Sequence, residues 1–298
     1  MRIGAYEIDE PVPELNNVQA ISMLRPWVDA GAVGSMSLQR LEEHFHAEEL
    51  GRLVRPGNFF DFTRYRPNVV IKDGVRQVIS PNSPITYARR SDGTDFLFLH
   101  LLEPHNLAET YVDSTWQLLQ FFNVRRYMTI GSMYDIVPHT RPLTVSGSAV
   151  GRLAQADLRR LGISPGGSYQ GPTSIVISVG LKAALMRVQT MSLMVHLPQY
   201  TQLEEDCAGM LRIVELLGIL YGIPTQQPDI DRAERQKGRV DRMVEHDPQL
   251  KEIVGQLEAR YDARMQERHE EERPIIPELS PETEKFLREM DKRFRDNK

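Results

Sequence analysis

Four short runs of apolar and β-branched residues stand out in the first 228 residues, each bounded by turn-forming residues. They occupy residues 18–24, 95–102, 124–130 and 190–197. Runs this short, with apolar side chains on both faces, are typical of strands that helices cover on two sides. The pattern therefore predicts at least four buried strands.

Helical periodicity fills the intervals between these runs. Apolar residues recur every three to four positions in residues 38–50, 107–122, 151–161, 174–188 and 206–221. The alternation of strands and helices predicts a mostly parallel sheet with helices on both faces, an α/β/α sandwich. Two β-prone runs flank Lys72-Asp73-Gly74 and predict a hairpin at about residues 69–79.

The character of the chain changes after residue 228. Half of residues 229–298 are charged, 16 basic and 19 acidic out of 70. The segment is nevertheless patterned, because Asp247-Pro248 forms a helix start and Leu250, Val254, Leu257 and Tyr261 follow at helical spacing. Another helix start lies at Ser280-Pro281. We therefore divide the chain into an α/β domain, residues 1–228, and a charged helical extension, residues 229–298.

Composition and charge restrict the function classes. The formal net charge is −5, whereas a general nucleic-acid binder would show a basic excess, so we expect no nucleic-acid partner. No apolar stretch is long enough to span a membrane, and the acidic N-terminal residues do not resemble a signal peptide. The single cysteine, Cys207, fits a reducing compartment, so we expect a cytoplasmic protein.

Polar residues gather immediately after the predicted strands, where open parallel sheets bind their ligands. Asp29, Glu103, His139, Arg141 and Tyr200 follow four different strands. Gly171 lies in a glycine-rich loop before a helix, where backbone amides could face an anion. These six residues are the candidates for a ligand pocket, and His139 with Arg141 suits a small anionic group.

Several kinds of catalytic or cofactor site are not expected. The Gly-x-Ser-x-Gly elbow of many serine hydrolases is missing, since Gln170 stands two residues after Ser168. His44 and His46 are two positions apart and would face different sides of a helix, so we expect no metal site. Gly31 and Gly34 do not complete a dinucleotide fingerprint, so we expect no cofactor. Glu103 with Asp29 or Asp61 could form a carboxylate pair for acid/base chemistry, but we favour structural roles for these residues, in capping or in ion pairs with Arg66 or Arg141.

Three sequence blocks suggest a family. In order and spacing, the blocks Pro138-His139-Thr140-Arg141-Pro142, Tyr169-Gln170-Gly171-Pro172-Thr173 and Leu197-Pro198-Gln199-Tyr200 resemble the proteasome assembly chaperone 2 (PAC2) family. The resemblance covers about residues 18–265. Gln199 departs from the family pattern, which often has histidine there.

The resemblance implies a three-layer core like that of nucleoside phosphorylases and hydrolases, with a helical C-terminal extension. It implies a protein that acts through protein–protein contacts, as an assembly factor or chaperone with a protein client. The alternative is a phosphorylase- or hydrolase-like enzyme, or a small-ligand binder, with a pocket at the strand ends. The hairpin predicts a homo-oligomer, because an isolated two-stranded hairpin is marginal in water, and the resemblance favours a trimer.

The extension has two alternative roles. The extension has apolar stripes but too little apolar surface to fold alone. We therefore expect Leu250, Val254, Leu257 and Tyr261 to be largely buried, against the α/β body or against a neighbouring subunit. The helices could form a lid over the pocket at the strand ends or a brace on the far side of the body.

Overall fold

A computed structural model describes residues 1–164 and 170–271. Within these residues the chain forms eleven strands and seven α-helices. The strands are β1 (Arg2–Ile3), β2 (Tyr6–Ile8), β3 (Gln19–Arg25), β4 (Glu48–Leu53), β5 (Asn68–Lys72), β6 (Val75–Ile79), β7 (Ile85–Ala88), β8 (Phe96–Leu102), β9 (Arg126–Asp135), β10 (Val145–Val150) and β11 (Gln189–Pro198). The helices are α1 (Val33–Phe45), α2 (Ala108–Phe121), α3 (Arg152–Arg160), α4 (Ile175–Leu185), α5 (Cys207–Tyr221), α6 (Gln227–Glu245) and α7 (Pro248–Glu271).

Nine of these strands form one mixed sheet in the order β1-β2-β4-β7-β8-β3-β9-β11-β10. The four central strands, β8, β3, β9 and β11, are parallel, and all four were predicted from their apolar runs. The outer strands pair antiparallel, including the edge strand β10 beside β11. The expectation of a mostly parallel sheet is therefore wrong for the flanks, because short strands with polar or glycine residues give no long apolar run.

Helices cover the two faces of this sheet, which confirms the predicted α/β architecture. Side chains of α2 and α4 pack with Ala20, Leu99 and Tyr127 on one face. Side chains of α1, α3 and α5 pack with Ile21 and Leu193 on the other. Adjacent strand residues such as Ala20 and Ile21 alternate between the faces, so the sheet contributes to two separate apolar layers.

One helix boundary was predicted wrongly. The sequence pattern extended the first helix over residues 38–50, but α1 begins at Val33 and ends at Phe45. His46 adopts a left-handed backbone conformation, with φ of 52°, which stops the helix. The following residues form β4, so the apolar residue Leu50 belongs to the sheet rather than to a helix.

The charged extension begins with α6, which is anchored to the α/β body by buried polar contacts. Arg40 Nε on α1 contacts Asp229 Oδ2 on α6 at 2.8 Å, with both side chains about nine-tenths buried. The Gln236 side chain accepts from the Cys207 backbone N–H and donates to Asp206 Oδ1 at 2.8 Å. These bonds join α6 to the start of α5, which Asp206 itself caps.

The second helix of the extension, α7, packs on α6 through a small apolar cluster. Val240, Val244 and Val254 are buried there, while Leu250 is only partly buried. Leu257 and Tyr261 are also partly buried, so all four stripe residues face protein, but only Val254 is fully buried. The helical extension itself is confirmed, whereas the predicted helix at Ser280 lies outside the described residues.

The predicted hairpin is confirmed. Strands β5 and β6 pair antiparallel, with Lys72 opposite Val75, around a turn at Asp73 and Gly74. Both turn residues have positive φ, which glycine adopts without strain and aspartate tolerates. The hairpin is a separate two-stranded sheet and does not join the nine-stranded one.

Candidate functional site

The loop that connects β9 to β10 contains the His139 and Arg141 pair. Pro138 and Pro142 bracket these residues and fix their own φ angles, which restricts the loop. The loop lies at the carboxyl end of β9, the edge of the sheet at which the sequence predicted a pocket. Its partners come from three places: the segment after β11, helix α6 and helix α7.

A hydrogen-bonded chain runs through the His139 imidazole, whose side chain is only 8% exposed. The His139 backbone N–H donates to Tyr200 Oη at 2.8 Å, and His139 Nδ1 lies 2.6 Å from the same oxygen. On the other side, His139 Nε2 lies 3.0 Å from Asp241 Oδ1 on α6. A carboxylate only accepts, so Nε2 carries the proton and Nδ1 accepts from the Tyr200 hydroxyl. With a neutral imidazole, every polar atom in this series of hydrogen bonds has a partner.

The pKa shifts agree with this assignment. Burial lowers the pKa of His139, even though the Asp241 carboxylate acts in the opposite direction. Burial raises the pKa of Tyr200 to about 12, which keeps its hydroxyl protonated. Burial alone would raise the pKa of Asp241, but hydrogen bonds from Lys237 and His139 lower it. The centre therefore holds a neutral histidine between a phenol and an ionised carboxylate.

Arg141 is engaged by carboxylates of α7. Its Nε and Nη2 atoms contact the two carboxylate oxygens of Asp262 at 2.9 and 2.8 Å, a two-pronged pair, and Nη1 lies 3.3 Å from Glu258. Thr140 donates to the same Glu258, and Tyr261 Oη donates to the Pro142 carbonyl at 3.0 Å. The hydrogen bond to Asp262 raises the pKa of the guanidinium and lowers that of the carboxyl group. Carboxylates of the same chain thus occupy the position that a bound anion would take.

The six predicted pocket residues fall into two groups. The structure brings His139, Arg141 and Tyr200 together and places Asp29, Glu103 and Gly171 elsewhere. Asp29 accepts from the Ser35 backbone N–H at 3.1 Å and from its hydroxyl at 2.6 Å at the start of α1. The expectation that Asp29 or Glu103 accompanies His139 and Arg141 is therefore wrong.

Glu103 lies at the start of α4, on the sheet face that α2 and α4 cover. Its Oε1 accepts from the Ile175 backbone N–H of α4 at 3.2 Å, while its buried Oε2 has no hydrogen-bond partner among the described residues. Burial raises the pKa of this carboxyl group. Gly171 is exposed in the segment before α4, and the glycines at 166 and 167 lie outside the described residues.

The carboxylates that meet the loop were missed by sequence reasoning. Asp241, Glu258 and Asp262 lie in the segment where half the residues are charged, so charge alone did not distinguish them. One signal was present: Glu258 and Asp262 are four positions apart and share one face of a helix. A cavity of about 430 Å³ lies between α5, α6 and the loop, and its lining includes His139 and Arg141 together with Leu211, Ile230 and Val240.

The family model of the PAC2 family matches residues 23–244, which include the β9–β10 loop and the residues after β11. This chain belongs to the PAC2 family. The resemblance inferred from the three sequence blocks is thus confirmed. No curated protein matches the chain.

Solved structures share the PAC2 fold of this chain. Rv2714, a Mycobacterium tuberculosis protein of unknown function, is 22% identical with a TM-score of 0.78 over 91% of this chain and 93% of its own. The proteasome-assembly chaperone homologue Rv2125 from the same organism is 20% identical, with a TM-score of 0.69 over 80% and 99%. PbaB, an archaeal proteasome activator from Pyrococcus furiosus, is 15% identical, with a TM-score of 0.63 over 80% and 97%.

The PAC2 match ends at residue 244, one residue before α6 ends. His139, Tyr200 and Asp241 therefore lie within the matched region, while Glu258 and Asp262 on α7 lie beyond it. None of the helices in the described part of this PAC2 chain is both long and apolar enough to cross a membrane. Those same residues contain no cluster of three or more histidine, cysteine or acidic side chains that could hold a metal ion.

Proposed function

We propose that this PAC2 chain acts through protein–protein contacts, as an assembly factor or chaperone-like protein, and that it works as a homo-oligomer. The family membership supports a role of this class, since structural relatives include a proteasome-assembly chaperone homologue and a proteasome activator. The observation that carries the proposal for this chain is the surface of the β5–β6 hairpin.

Aliphatic side chains project from both faces of the hairpin. Val69, Ile71, Val75, Val78 and Ile79 are each between 55% and 73% exposed. The register pairs Val69 with Val78 on one face and places Ile79 opposite Asn68 on the other. Contiguous apolar surface of this kind marks sites of protein interaction in soluble proteins.

The proposed occupant of the hairpin surface is a second copy of the chain. A two-stranded hairpin is marginally stable in water on its own, so a hairpin with apolar side chains on both faces gains most from a partner that covers both. Identical subunits supply such cover with closed symmetry, and a trimer is the state we favour. A protein client is the alternative occupant.

Multi-angle light scattering of the full chain at micromolar concentration tests the proposal. We expect an oligomer for the wild type and a shift towards monomer for the triple variant Val69→Ser, Ile71→Ser, Val78→Ser, which removes one apolar face. The matched control is Gln77→Ser in the same hairpin, which should assemble as the wild type does. A monomeric wild type would refute self-association, and an oligomeric triple variant would refute the role of the hairpin.

A photo-crosslinking residue at position 71 identifies the occupant. In the purified protein we expect cross-links from this position to a second copy, because Ile71 is 73% exposed. Cross-links only within the same chain would contradict the homo-oligomer and leave the hairpin surface without its proposed partner.

A further inference from the structure

Three side chains on neighbouring strands form a second histidine-centred group, on the sheet face that carries α2 and α4. His196 lies on β11, Asp135 at the end of β9 and Ser146 on the edge strand β10. His196 Nδ1 lies 2.7 Å from Asp135 Oδ2, and His196 Nε2 lies 2.8 Å from Ser146 Oγ. Side chains alternate along a strand, so Val195 and Leu197, which flank His196, point to the other face of the sheet, towards α1, α3 and α5.

The direction of each hydrogen bond follows from the chemistry of the partners. Burial alone would raise the pKa of Asp135, but hydrogen bonds from His196 and from the Ile136 backbone N–H lower it, so the carboxylate acts as an acceptor. His196 Nδ1 therefore carries the proton. In the neutral imidazole Nε2 is then the acceptor, and the Ser146 hydroxyl donates to it. This is the polarity that allows an imidazole to remove a proton from an attacking serine.

An apolar cleft of about 540 Å³ lies on the same face, between the sheet and α4. Met133 and Met194 line it, and each is two residues before a member of the group on its own strand, Asp135 and His196. Residues two apart on a strand share a face and are separated by about 7 Å. The cleft is therefore next to the group rather than behind it.

The cleft and the group are both open to small molecules. Trp27, Ile177 and Leu181 line the cleft and are 59%, 46% and 60% exposed. The His196 side chain retains 18% exposure, and Ser146 is partly exposed at the sheet edge. The other charged group near Asp135 is Arg264 on α7, whose charge also favours the ionised carboxylate.

We propose that Ser146, His196 and Asp135 form a Ser-His-Asp catalytic triad that hydrolyses esters with an apolar acyl chain, which the cleft under α4 binds. Ser146 Oγ attacks the ester carbonyl carbon while its proton moves to His196 Nε2. The bond to the leaving alkoxide or phenolate breaks, and His196 returns the proton to that oxygen. A water molecule then attacks the acyl-serine, gives one proton to His196, and releases the carboxylic acid as the serine regains its proton.

A fluorophosphonate probe tests the nucleophile on the full-length protein. Its phosphorus is attacked by an activated serine with loss of fluoride, so we expect one covalent adduct, located on Ser146 by peptide mass spectrometry. Mapping of the wild type alone is decisive, whatever the folding of any variant. An unlabelled Ser146, or an adduct at another residue, would overturn the proposal.

Matched variants separate the triad from a structural hydrogen-bond network. Ser146→Ala should abolish labelling, whereas Ser35→Ala, which removes a serine hydroxyl that donates to Asp29 at 2.6 Å and does not line the cleft, should label as the wild type does. His196→Gln should slow labelling at least about 100-fold, because general-base assistance contributes on that order. Asp135→Asn should slow it too, since an amide can hold the imidazole in the wrong tautomer. Unchanged labelling rates in folded His196→Gln would refute the role of the imidazole.

Ester chain length tests the cleft. We expect p-nitrophenyl octanoate to be hydrolysed with a higher kcat/KM than p-nitrophenyl acetate. Gly180 faces the cleft from α4, and a Cβ built there meets no atom within 4 Å, so Gly180→Leu should partly fill the cleft without a clash. This variant should lower the octanoate-to-acetate ratio. An unaltered ratio would contradict the assignment of the cleft as the acyl site. The hairpin and its self-association take no part in these measurements, so either proposal can fail alone.

Discussion

Two histidines at the same edge of the sheet have the same two kinds of partner in opposite order. His139 accepts from a tyrosine hydroxyl at Nδ1 and donates to a carboxylate at Nε2. His196 donates to a carboxylate at Nδ1 and accepts from a serine hydroxyl at Nε2. In the first centre the hydroxyl also accepts a backbone N–H, so the group holds the loop in place. In the second the hydroxyl belongs to a serine on the edge strand β10, and the group lies beside an apolar cleft.

Membership of a recognisable sequence block and availability for chemistry are therefore separate properties of a side chain. His139 belongs to one of the three sequence blocks that resemble the PAC2 family, yet its imidazole and the neighbouring Arg141 are occupied by α6 and α7. His196 lies outside those three blocks, yet its partners have the order that suits proton transfer. We therefore assign a structural role to the His139 centre and keep the proposed catalytic role for the His196 centre. Three predictions test that division.

Loss of the buried ion pair that anchors α6 should reduce the free energy of unfolding more than any other change considered. Asp229→Ala leaves the Arg40 guanidinium buried without its partner and should destabilise the protein by about 3–5 kcal/mol. Denaturant unfolding measures this, with the exposed Glu234→Ala on the same helix as a control that should stay within about 0.5 kcal/mol. Under conditions where the variant remains folded, fluorophosphonate labelling of Ser146 should persist. Loss of labelling there would show that the two centres are coupled.

A smaller effect is expected from one hydroxyl of the His139 centre. Tyr200→Phe leaves the His139 backbone N–H and Nδ1 without their partner, so we expect a loss of about 1–3 kcal/mol in unfolding free energy. Tyr261→Phe removes a single exposed hydrogen bond to the Pro142 carbonyl and should cost less than about 1 kcal/mol. Equal costs for the two variants would contradict the special position of Tyr200.

The smallest effect is a pH dependence. The pKa of His139 is lower in the folded protein than in the unfolded chain, so the unfolded chain binds the proton more readily. The stability contributed by neutral His139 is therefore present above its unfolded pKa of about 6.5 and decreases as the pH falls through that value. Comparison of the wild type with His139→Gln between pH 8 and pH 5 measures it. If the wild type loses no more stability than the variant as the pH falls, the assignment of His139 as a buried neutral imidazole is wrong.

Sequence reasoning found the centre of the fold and one of the two histidine centres. The central strands β8, β3, β9 and β11 were predictable because they are apolar on both faces. The edge strand β10 was not, because its sequence Val145-Ser146-Gly147-Ser148-Ala149-Val150 has small and polar residues on its open side. Without β10 on the sheet, Ser146 could not be placed beside His196, and a search for a serine elbow looks in the wrong kind of local structure.

The pocket candidates show the same limitation. His139, Arg141 and Tyr200 follow strands that lie next to each other in the sheet, β9 and β11, and they do meet. Glu103 and Asp29 follow β8 and β3, and they cap α4 and α1 instead. The position of a residue after a strand predicts the edge of the sheet at which it lies. It does not predict whether the side chain will instead accept a hydrogen bond from the start of a nearby helix.

The contact between the β9–β10 loop and α7 has a consequence for biosynthesis. Arg141 and Asp262 are 121 residues apart, and the whole of α5 and α6 lies between them. A chain that emerges from the ribosome N-terminus first can form its sheet while Arg141 still lacks its counter-charge. During that interval the nascent protein presents a positively charged loop at the sheet edge, and translation of α7 neutralises it.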